Sequence, residues 1–142
     1  MATVLVAENE PQIAFGLNLI YTRAGYRTHL VTTGPETLEC IRSAPPDVLV
    51  MNPHLPDVDG LDICRHLKAG PETADLPILL ISARYTHAEA AAARASGADD
   101  YIAKPFKNAE LLDRTETLLR RRPGHASSRS EPPIGVEVQW RP

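Results

Sequence analysis

The chain has 142 residues, and its 15 lysines and arginines against 18 aspartates and glutamates leave a formal net charge of −3 with neutral histidines. This balance argues against a basic surface for nucleic acid, and no apolar run approaches the roughly 20 residues of a membrane span. The start, MATVLVAENE, lacks a basic segment and reaches Glu8 too early for a signal peptide. Two cysteines, Cys40 and Cys64, do not make a disulfide framework, so we expect buried free thiols within helices and a cytoplasmic protein.

Up to Arg122 the sequence alternates short apolar segments with helical patterns. The predicted strands are Thr3–Ala7, Tyr26–Val31, Asp47–Asn52, Pro77–Ser82 and Tyr101–Ala103. The predicted helices are Pro11–Ala24, Pro35–Ala44, a segment marked by Leu61, Cys64 and Leu67, then Thr86–Ser96 and Asn108–Arg122. The first, third and fourth strands are nearly continuous apolar runs, which is typical of strands covered on both faces. The pattern predicts one α/β domain over residues 1–122, a doubly wound, five-stranded parallel sheet with helices on both sides.

Residues 123–142, PGHASSRSEPPIGVEVQWRP, form a Pro- and Ser-rich tail that cannot bury a core by itself. The tail is a linker, a disordered end or a docked extension. Ile134, Val136, Val138 and Trp140 stand at alternate positions, a pattern that also fits a short edge strand.

In doubly wound sheets the ligand site lies beyond the carboxyl ends of the strands, at the point where the strand order reverses. This rule selects Glu8–Glu10 after the first strand, Asn52–Asp59 after the third, Ser82 at the end of the fourth, and Lys104 after the fifth. These residues include carboxylates, amides, a hydroxyl and a lysine. We therefore expect a polar site at this edge of the sheet.

Four segments carry a resemblance to a known family: VLVAENEP, VLVMNPHLPDVDGLDICRHLK, LLISA and GADDYIAKPF. Over residues 1–122 the chain resembles the receiver domain of response regulators in two-component signalling. The resemblance implies the flavodoxin-like receiver fold and phosphoryl transfer to an aspartate at the end of the third strand. It also implies a Mg²⁺ ion held by acidic residues, and a hydroxyl and a lysine that contact the phosphoryl group. An aromatic switch in the fifth strand would then change the surface of the fourth helix, fifth strand and fifth helix.

The family positions are filled unevenly in this chain. Ser82 and Lys104 stand where the phosphoryl-contacting residues belong, and Tyr101 stands at the position of the switch aromatic. Asn52 replaces the phosphoacceptor. The implied metal site is made of Glu8, Asn9, Asn52 and the backbone carbonyl of His54, so it retains one carboxylate.

The asparagine at the phosphoacceptor position decides the predicted chemistry. An aspartate attacks phosphorus with an anionic oxygen, whereas the Asn52 amide is neutral. Mg²⁺ prefers carboxylate oxygens, and this chain has lost two of the three. We expect no catalytic residue, no phosphorylation of Asn52, no cofactor and at best weak Mg²⁺ binding. Glu8 is instead placed to pair with Lys104 across the crevice.

Two functions stay open. The first is a receiver-like signalling module of a two-component phosphorelay that works without aspartyl phosphorylation and without enzyme activity. It would bind a protein partner (a second copy, a sensor kinase or an output domain) through the fourth helix, fifth strand and fifth helix, and neither membrane nor nucleic acid itself. The second is a receiver phosphorylated on Asp57, Asp59 or Glu8, although Asp59 lies where a turn or helix start favours aspartate. A flavin-type cofactor binder is disfavoured because acidic residues replace a Gly-rich phosphate loop after the first strand.

Overall fold

The computed structural model describes residues 1–84 and 86–121. Within those ranges the strands are β1 (Thr3–Ala7), β2 (Arg27–Val31), β3 (Val48–Met51), β4 (Ile78–Ser82) and β5 (Asp100–Ala103). The helices there are α1 (Pro11–Arg23), α2 (Gly34–Ser43), α3 (Gly60–Ala69), α4 (His87–Ala95) and α5 (Asn108–Arg121). All paired strands are parallel, in the order β2-β1-β3-β4-β5. The predicted five-stranded doubly wound fold is confirmed. Arg122 and the tail lie outside the described residues, and so does the edge strand predicted as an alternative at 134–140.

Five predicted strand boundaries are wrong by one residue: β2, β3 and β4 begin one residue later, β3 ends at Met51, and β5 begins one residue earlier. Local contacts accompany two of these shifts. β2 begins at Arg27 rather than at Tyr26, because the backbone N–H of Tyr26 donates to the carbonyl of Tyr21 at 3.0 Å. The Tyr21 and Tyr26 rings also meet edge to face, with centroids 5.7 Å apart. β3 begins after Asp47, whose carboxylate accepts the backbone N–H of Thr3 at 2.7 Å.

The central strands bury both of their faces, as their apolar sequences predict. Alternate side chains of β1, β3 and β4 enter two separate core clusters. One cluster is covered by α1 and α5 through residues such as Leu17 and Leu111, and the other by α2, α3 and α4 through residues such as Ile41 and Ile63. Cys64 belongs to the second cluster, where burial raises the pKa of its thiol to about 11.

The other cysteine departs from the expectation. Cys40 is a free thiol but only half-buried. The reason is its position on α2, which turns Thr37 and Ile41 into the core, one helical turn apart. Cys40 lies beside this buried stripe.

In the ranges that the structure covers, no helix is long and apolar enough to cross a membrane.

The strand register places the predicted site residues side by side. Ala7 of β1 pairs with Met51 of β3, and the backbone N–H of Asn52 donates to the carbonyl of Ala7 at 3.0 Å. Since β1 lies between β2 and β3, the strand order reverses at this point of the sheet. The crevice beyond β1 and β3 is therefore the place where this fold class holds its ligands.

Candidate functional site

Glu8 and Asn52 meet in this crevice, 44 residues apart in sequence. The Asn52 amide nitrogen donates to Glu8 Oε2 at 3.1 Å. The same carboxylate oxygen accepts the backbone N–H of Glu10, also at 3.1 Å. Glu8 is 2% exposed, so its charge lies inside the protein and depends on these donors.

The second oxygen of Glu8 faces a cation. Lys104 Nζ lies 3.4 Å from Glu8 Oε1, and the Lys104 side chain is only 14% exposed. The ion pair predicted from the sequence is confirmed. It makes the centre of the crevice electrically neutral, with one carboxylate, one ammonium and the uncharged amide of Asn52.

Both ends of the Asn52 amide are engaged. Its oxygen accepts the backbone N–H of His54 at 2.9 Å, while its nitrogen donates to Glu8. An aspartate at this position could keep the first contact, because a carboxylate also accepts from N–H. It could not keep the second, because two carboxylates repel each other at this distance unless a proton or cation lies between them.

Ser82 is buried at the end of β4, where its hydroxyl oxygen accepts the backbone N–H of Arg84 at 3.1 Å. Its backbone carbonyl accepts the N–H of Lys104 at 2.9 Å, so the ends of β4 and β5 are tied together. A crevice of about 410 Å³ opens beside these residues, and Asn9, Asn52, Arg84 and Lys104 are among its lining residues. Five of the strand-end residues selected from the sequence thus line one space: Asn9, Glu10, Asn52, His54 and Lys104.

The two carboxylates of the following loop have other partners. Asp57 Oδ1 accepts the backbone N–H of Gly34 at the start of α2, at 3.3 Å. Asp59 is the N-cap of α3, and its Oδ1 accepts the backbone N–H of Leu61 at 2.9 Å. The structure places Asp59 at the helix start, as local preference predicts.

Tyr101 is buried in β5, and its hydroxyl donates to the carbonyl of Arg84 at 2.7 Å. The hydroxyl also lies 3.3 Å from Glu89 Oε1 of α4. Glu89 Oε2 pairs with the Arg84 guanidinium at 3.2 Å, and Oε1 lies 3.8 Å from His54 Nε2. Glu89 thus joins the loop after β3, the loop after β4, and β5.

Neither Arg84 nor Glu89 was selected from the sequence. The strand-end rule stops at Ser82, and a lone arginine in a loop has no distinctive spacing. Glu89 stands three residues after Thr86, whose hydroxyl accepts the Glu89 N–H at 3.0 Å. This helix-start pattern was the available signal, but it explains only the cap and not the contact with Tyr101.

A buried ion pair lies next to the switch position. Arg114 of α5 donates to Asp100 Oδ1 at 3.0 Å, and the Asp100 side chain has no exposed surface. Asp100 Oδ2 has no hydrogen-bond partner within the part of the chain that the structure describes. Burial raises the pKa of Asp100 from 3.8 to about 6, although the charge of Arg114 acts in the opposite direction. No motif or spacing in the sequence indicates this pair.

The set of metal-binding groups in the crevice is small. Within residues 1–84 and 86–121, Glu8 is the one buried carboxylate of the crevice. Both of its oxygens already accept hydrogen bonds, Oε1 from Lys104 and Oε2 from Asn52 and the backbone N–H of Glu10. Asn9 is a neutral, exposed amide. No group of three or more His, Cys, Asp and Glu side chains in those two ranges is arranged to hold a metal ion. This arrangement does not fit Mg²⁺, which binds mainly through carboxylate oxygens and water.

Comparison with known families places this geometry in context. The family model of the response regulator receiver domain matches residues 4–116. This chain belongs to the response regulator receiver family. It is therefore a receiver domain of the kind used in two-component signalling, with the family fold and with an asparagine in the crevice after β3.

The relatives of this receiver domain are signalling proteins. It is 41% identical over 118 residues to Response regulator MprA of Mycobacterium ulcerans, a match that covers 83% of this chain and 50% of that protein. The chain spans about half the length of the curated relatives it matches.

Solved receiver domains share the same architecture. The receiver domain of a signal transduction histidine kinase from Syntrophus aciditrophicus superimposes with a TM-score of 0.80 at 28% identity, over 92% of this chain and 96% of that one. The receiver domain of the sensor histidine kinase PA1611 from Pseudomonas aeruginosa has a TM-score of 0.77 at 26% identity, over 83% and 97% of the two chains. That domain was solved with a magnesium ion coordinated in its active-site cleft.

Proposed function

We propose that this receiver domain signals without forming an aspartyl phosphate. The observation that carries the proposal is Asn52, held by hydrogen bonds between Glu8 Oε2 and the backbone N–H of His54 at the position of the family's phosphoacceptor. An amide nitrogen or oxygen at neutral pH lacks the anionic character with which a carboxylate attacks phosphorus. The site therefore keeps the family's shape without its nucleophile.

The proposal includes the loss of functional magnesium binding. A Mg²⁺ ion would have to displace Lys104 from Glu8 and would gain a single carboxylate ligand in exchange. The Lys104 ammonium already supplies a positive charge inside the crevice. In a receiver with three carboxylates, a metal ion balances their negative charge. Here the Lys104 ammonium balances the charge of Glu8.

The competing function is a receiver phosphorylated on Asp57, Asp59 or Glu8. Against it stand the contacts of these three carboxylates: Asp57 holds the start of α2, Asp59 caps α3, and Glu8 is paired with Lys104. Asp57 and Asp59 do not line the crevice beside Lys104, and a phosphoryl group on either oxygen of Glu8 would displace a present contact.

A protein partner provides a route for a signal that needs no phosphoryl group. We propose association through the face formed by α4, β5 and α5, with a second copy, a kinase or an output domain as the partner. Exposed alanines of α4, at positions 91 and 95, support this choice because they leave a smooth helix surface. Glu89 supports it as well, since its contact with Tyr101 links α4 to β5.

The direct test is incubation with acetyl phosphate and Mg²⁺, followed by intact-mass measurement and peptide mapping. We expect no phosphoryl adduct on the natural sequence. The double variant Asn9→Asp/Asn52→Asp, treated in the same way, serves as the positive control. An adduct mapped to Asp57, Asp59 or Glu8 would support the competing function, and an adduct at Asn52 would contradict both.

A further inference from the structure

A second cavity, of about 440 Å³, lies away from the Glu8–Lys104 ion pair. It opens between the loop after β3, the beginning of α3 and the side of α4. Its apolar walls are Pro53, Leu55, Leu61, Ala88, Ala92 and Ala93. The cavity exists because α4 presents alanines opposite the leucines, and alanine side chains are too short to fill the gap between the helices. Its volume lies in the range of ordinary small-molecule sites.

The charged groups that line this cavity are mainly negative. Its lining includes the carboxylates of Asp59 and Glu89, the imidazole of His54 and the hydroxyl of Tyr101. Among the described residues that line it there is no lysine or arginine. Arg84 approaches Glu89 at Oε2, whereas Oε1 is the oxygen that faces Tyr101 and His54.

We propose that this cavity binds a small aromatic or alicyclic amine. The apolar body would lie between Leu61 and the α4 alanines, and the ammonium group would lie against the carboxylates of Glu89 and Asp59. A cation is favoured over an anion because both acidic groups of the lining attract it. An apolar body is favoured because most of the wall is aliphatic.

Binding at this place is linked to Tyr101. Glu89 Oε1 already lies 3.3 Å from the Tyr101 hydroxyl, so an ammonium that binds this oxygen shares its acceptor with the tyrosine. A ligand that binds one arrangement of these groups better than another shifts the protein towards that arrangement. The amine would thereby act on β5 and α4 whether or not Asn52 takes part in any chemistry, so the inference goes beyond the proposed function.

The test uses three probes of similar size: 2-phenylethylamine, 2-phenylethanol and 3-phenylpropionate. Each is titrated into the ¹⁵N-labelled full chain and followed by amide chemical shifts. We expect saturable shifts confined to residues 54–61, 88–93 and 101, with a Kd on the order of 1 mM for the amine, a weaker Kd for the alcohol, and the weakest for the carboxylate. Shifts spread over the surface, equal affinity of the three probes, or no saturable shift would overturn the proposal.

Two kinds of variant test the charges of the lining and the space of the cavity separately. Glu89→Gln and Asp59→Asn should each weaken the amine by about tenfold and leave the alcohol unchanged, and Asn at position 59 still caps α3. Ala92→Leu fills the cavity from an exposed helix position and should abolish binding of both probes. Asp113→Asn removes an exposed carboxylate on α5 and is the matched control. Unchanged amine affinity in both carboxylate variants would overturn the proposal, as would unchanged binding in Ala92→Leu.

Discussion

Lys104 Nζ lies 3.4 Å from Glu8 Oε1, and this ion pair joins residues that are 96 positions apart in the chain. Glu8 follows β1 and Lys104 follows β5, with β3 and β4 between them in the sheet. The pair therefore spans the carboxyl edge of the sheet above Asn52. The resemblance to the receiver family implies a metal ion and an acceptor aspartate in this crevice, whereas in this chain Glu8 and Lys104 neutralise each other there.

Removal of the Lys104 ammonium should lower the stability of the folded protein, because Glu8 is a buried carboxylate. We expect Lys104→Met to lower the free energy of unfolding by about 3 kcal/mol, because it leaves Glu8 charged and unpaired in the interior. The double variant Glu8→Gln/Lys104→Met should recover most of this loss, since it buries no net charge. Urea unfolding at pH 7 measures both. Equal stability of the single and double variants would contradict the uncompensated charge of Glu8 as the cause of the loss.

Restoring the acidic groups should restore the affinity for magnesium. We expect Asn9→Asp/Asn52→Asp to bind Mg²⁺ at least about tenfold more tightly than the natural chain, since carboxylates supply most of the attraction for this ion. Isothermal titration calorimetry measures the two affinities. Asn108→Asp, at the exposed start of α5, adds a charge away from the crevice and is the control. If the double variant binds Mg²⁺ no better than Asn108→Asp does, the crevice is not the metal position.

The buried Asp100 should make stability depend on pH. Its pKa is raised to about 6 in the folded protein, above the value of 3.8 that it has when solvated. The folded state therefore keeps the proton longer than the unfolded state, and the contribution of this group to stability falls as the pH rises from about 4 to about 6.

The variant Asp100→Asn removes this dependence. We expect its stability relative to the natural chain to rise by on the order of 2 kcal/mol between pH 4 and pH 7. Urea unfolding of both proteins across this range gives the difference, in which the other titrating groups cancel. Asp113→Asn, which removes an exposed carboxylate of α5, is the matched control. The same pH dependence for Asp100→Asn and for this control would contradict the assignment.

The loop after β3 depends on the absence of a side chain at Gly60. A Cβ atom there would lie 2.6 Å from the Cα of Pro53, the residue that follows Asn52. We expect Gly60→Ala to destabilise the protein by about 2 kcal/mol, because a backbone atom cannot move aside as a flexible side chain can.

Gly16 provides the matched control for this substitution. It lies in α1 with nothing within 4 Å of its Cβ position. Gly16→Ala should therefore raise stability by roughly 0.5–1 kcal/mol. Thermal unfolding distinguishes the two variants, and a similar effect of both would contradict the close packing at Gly60.

Local sequence predicted the elements and the position of the site. Apolar runs such as Val48–Met51 predict buried strands because a parallel strand covered on both faces has little surface for polar side chains. The position of Asn52 also follows from sequence, because it directly ends such a run. The cap at Asp59 was predicted for the same kind of reason, since a helix start depends on a few neighbouring residues.

The partners of Arg114, Arg84 and Glu89 were not predictable in this way. Each has a common surface residue type and no distinctive spacing. Arg114 becomes a buried partner of Asp100 only because α5 packs across β5. Glu89 reaches Tyr101 only because α4 and β5 lie side by side.

The sequence by itself determined which strands are buried, where four of the five strands end, and that a neutral amide stands in the crevice, because these properties depend on residue type and near neighbours. The tertiary structure alone decided that the Asn52 amide donates to Glu8, that Asp100 is buried beside Arg114, and that alanines of α4 leave a cavity beside Tyr101. The physical reason is that strand order and helix packing bring together residues tens of positions apart, and the energy of a charge or a gap depends on what surrounds it.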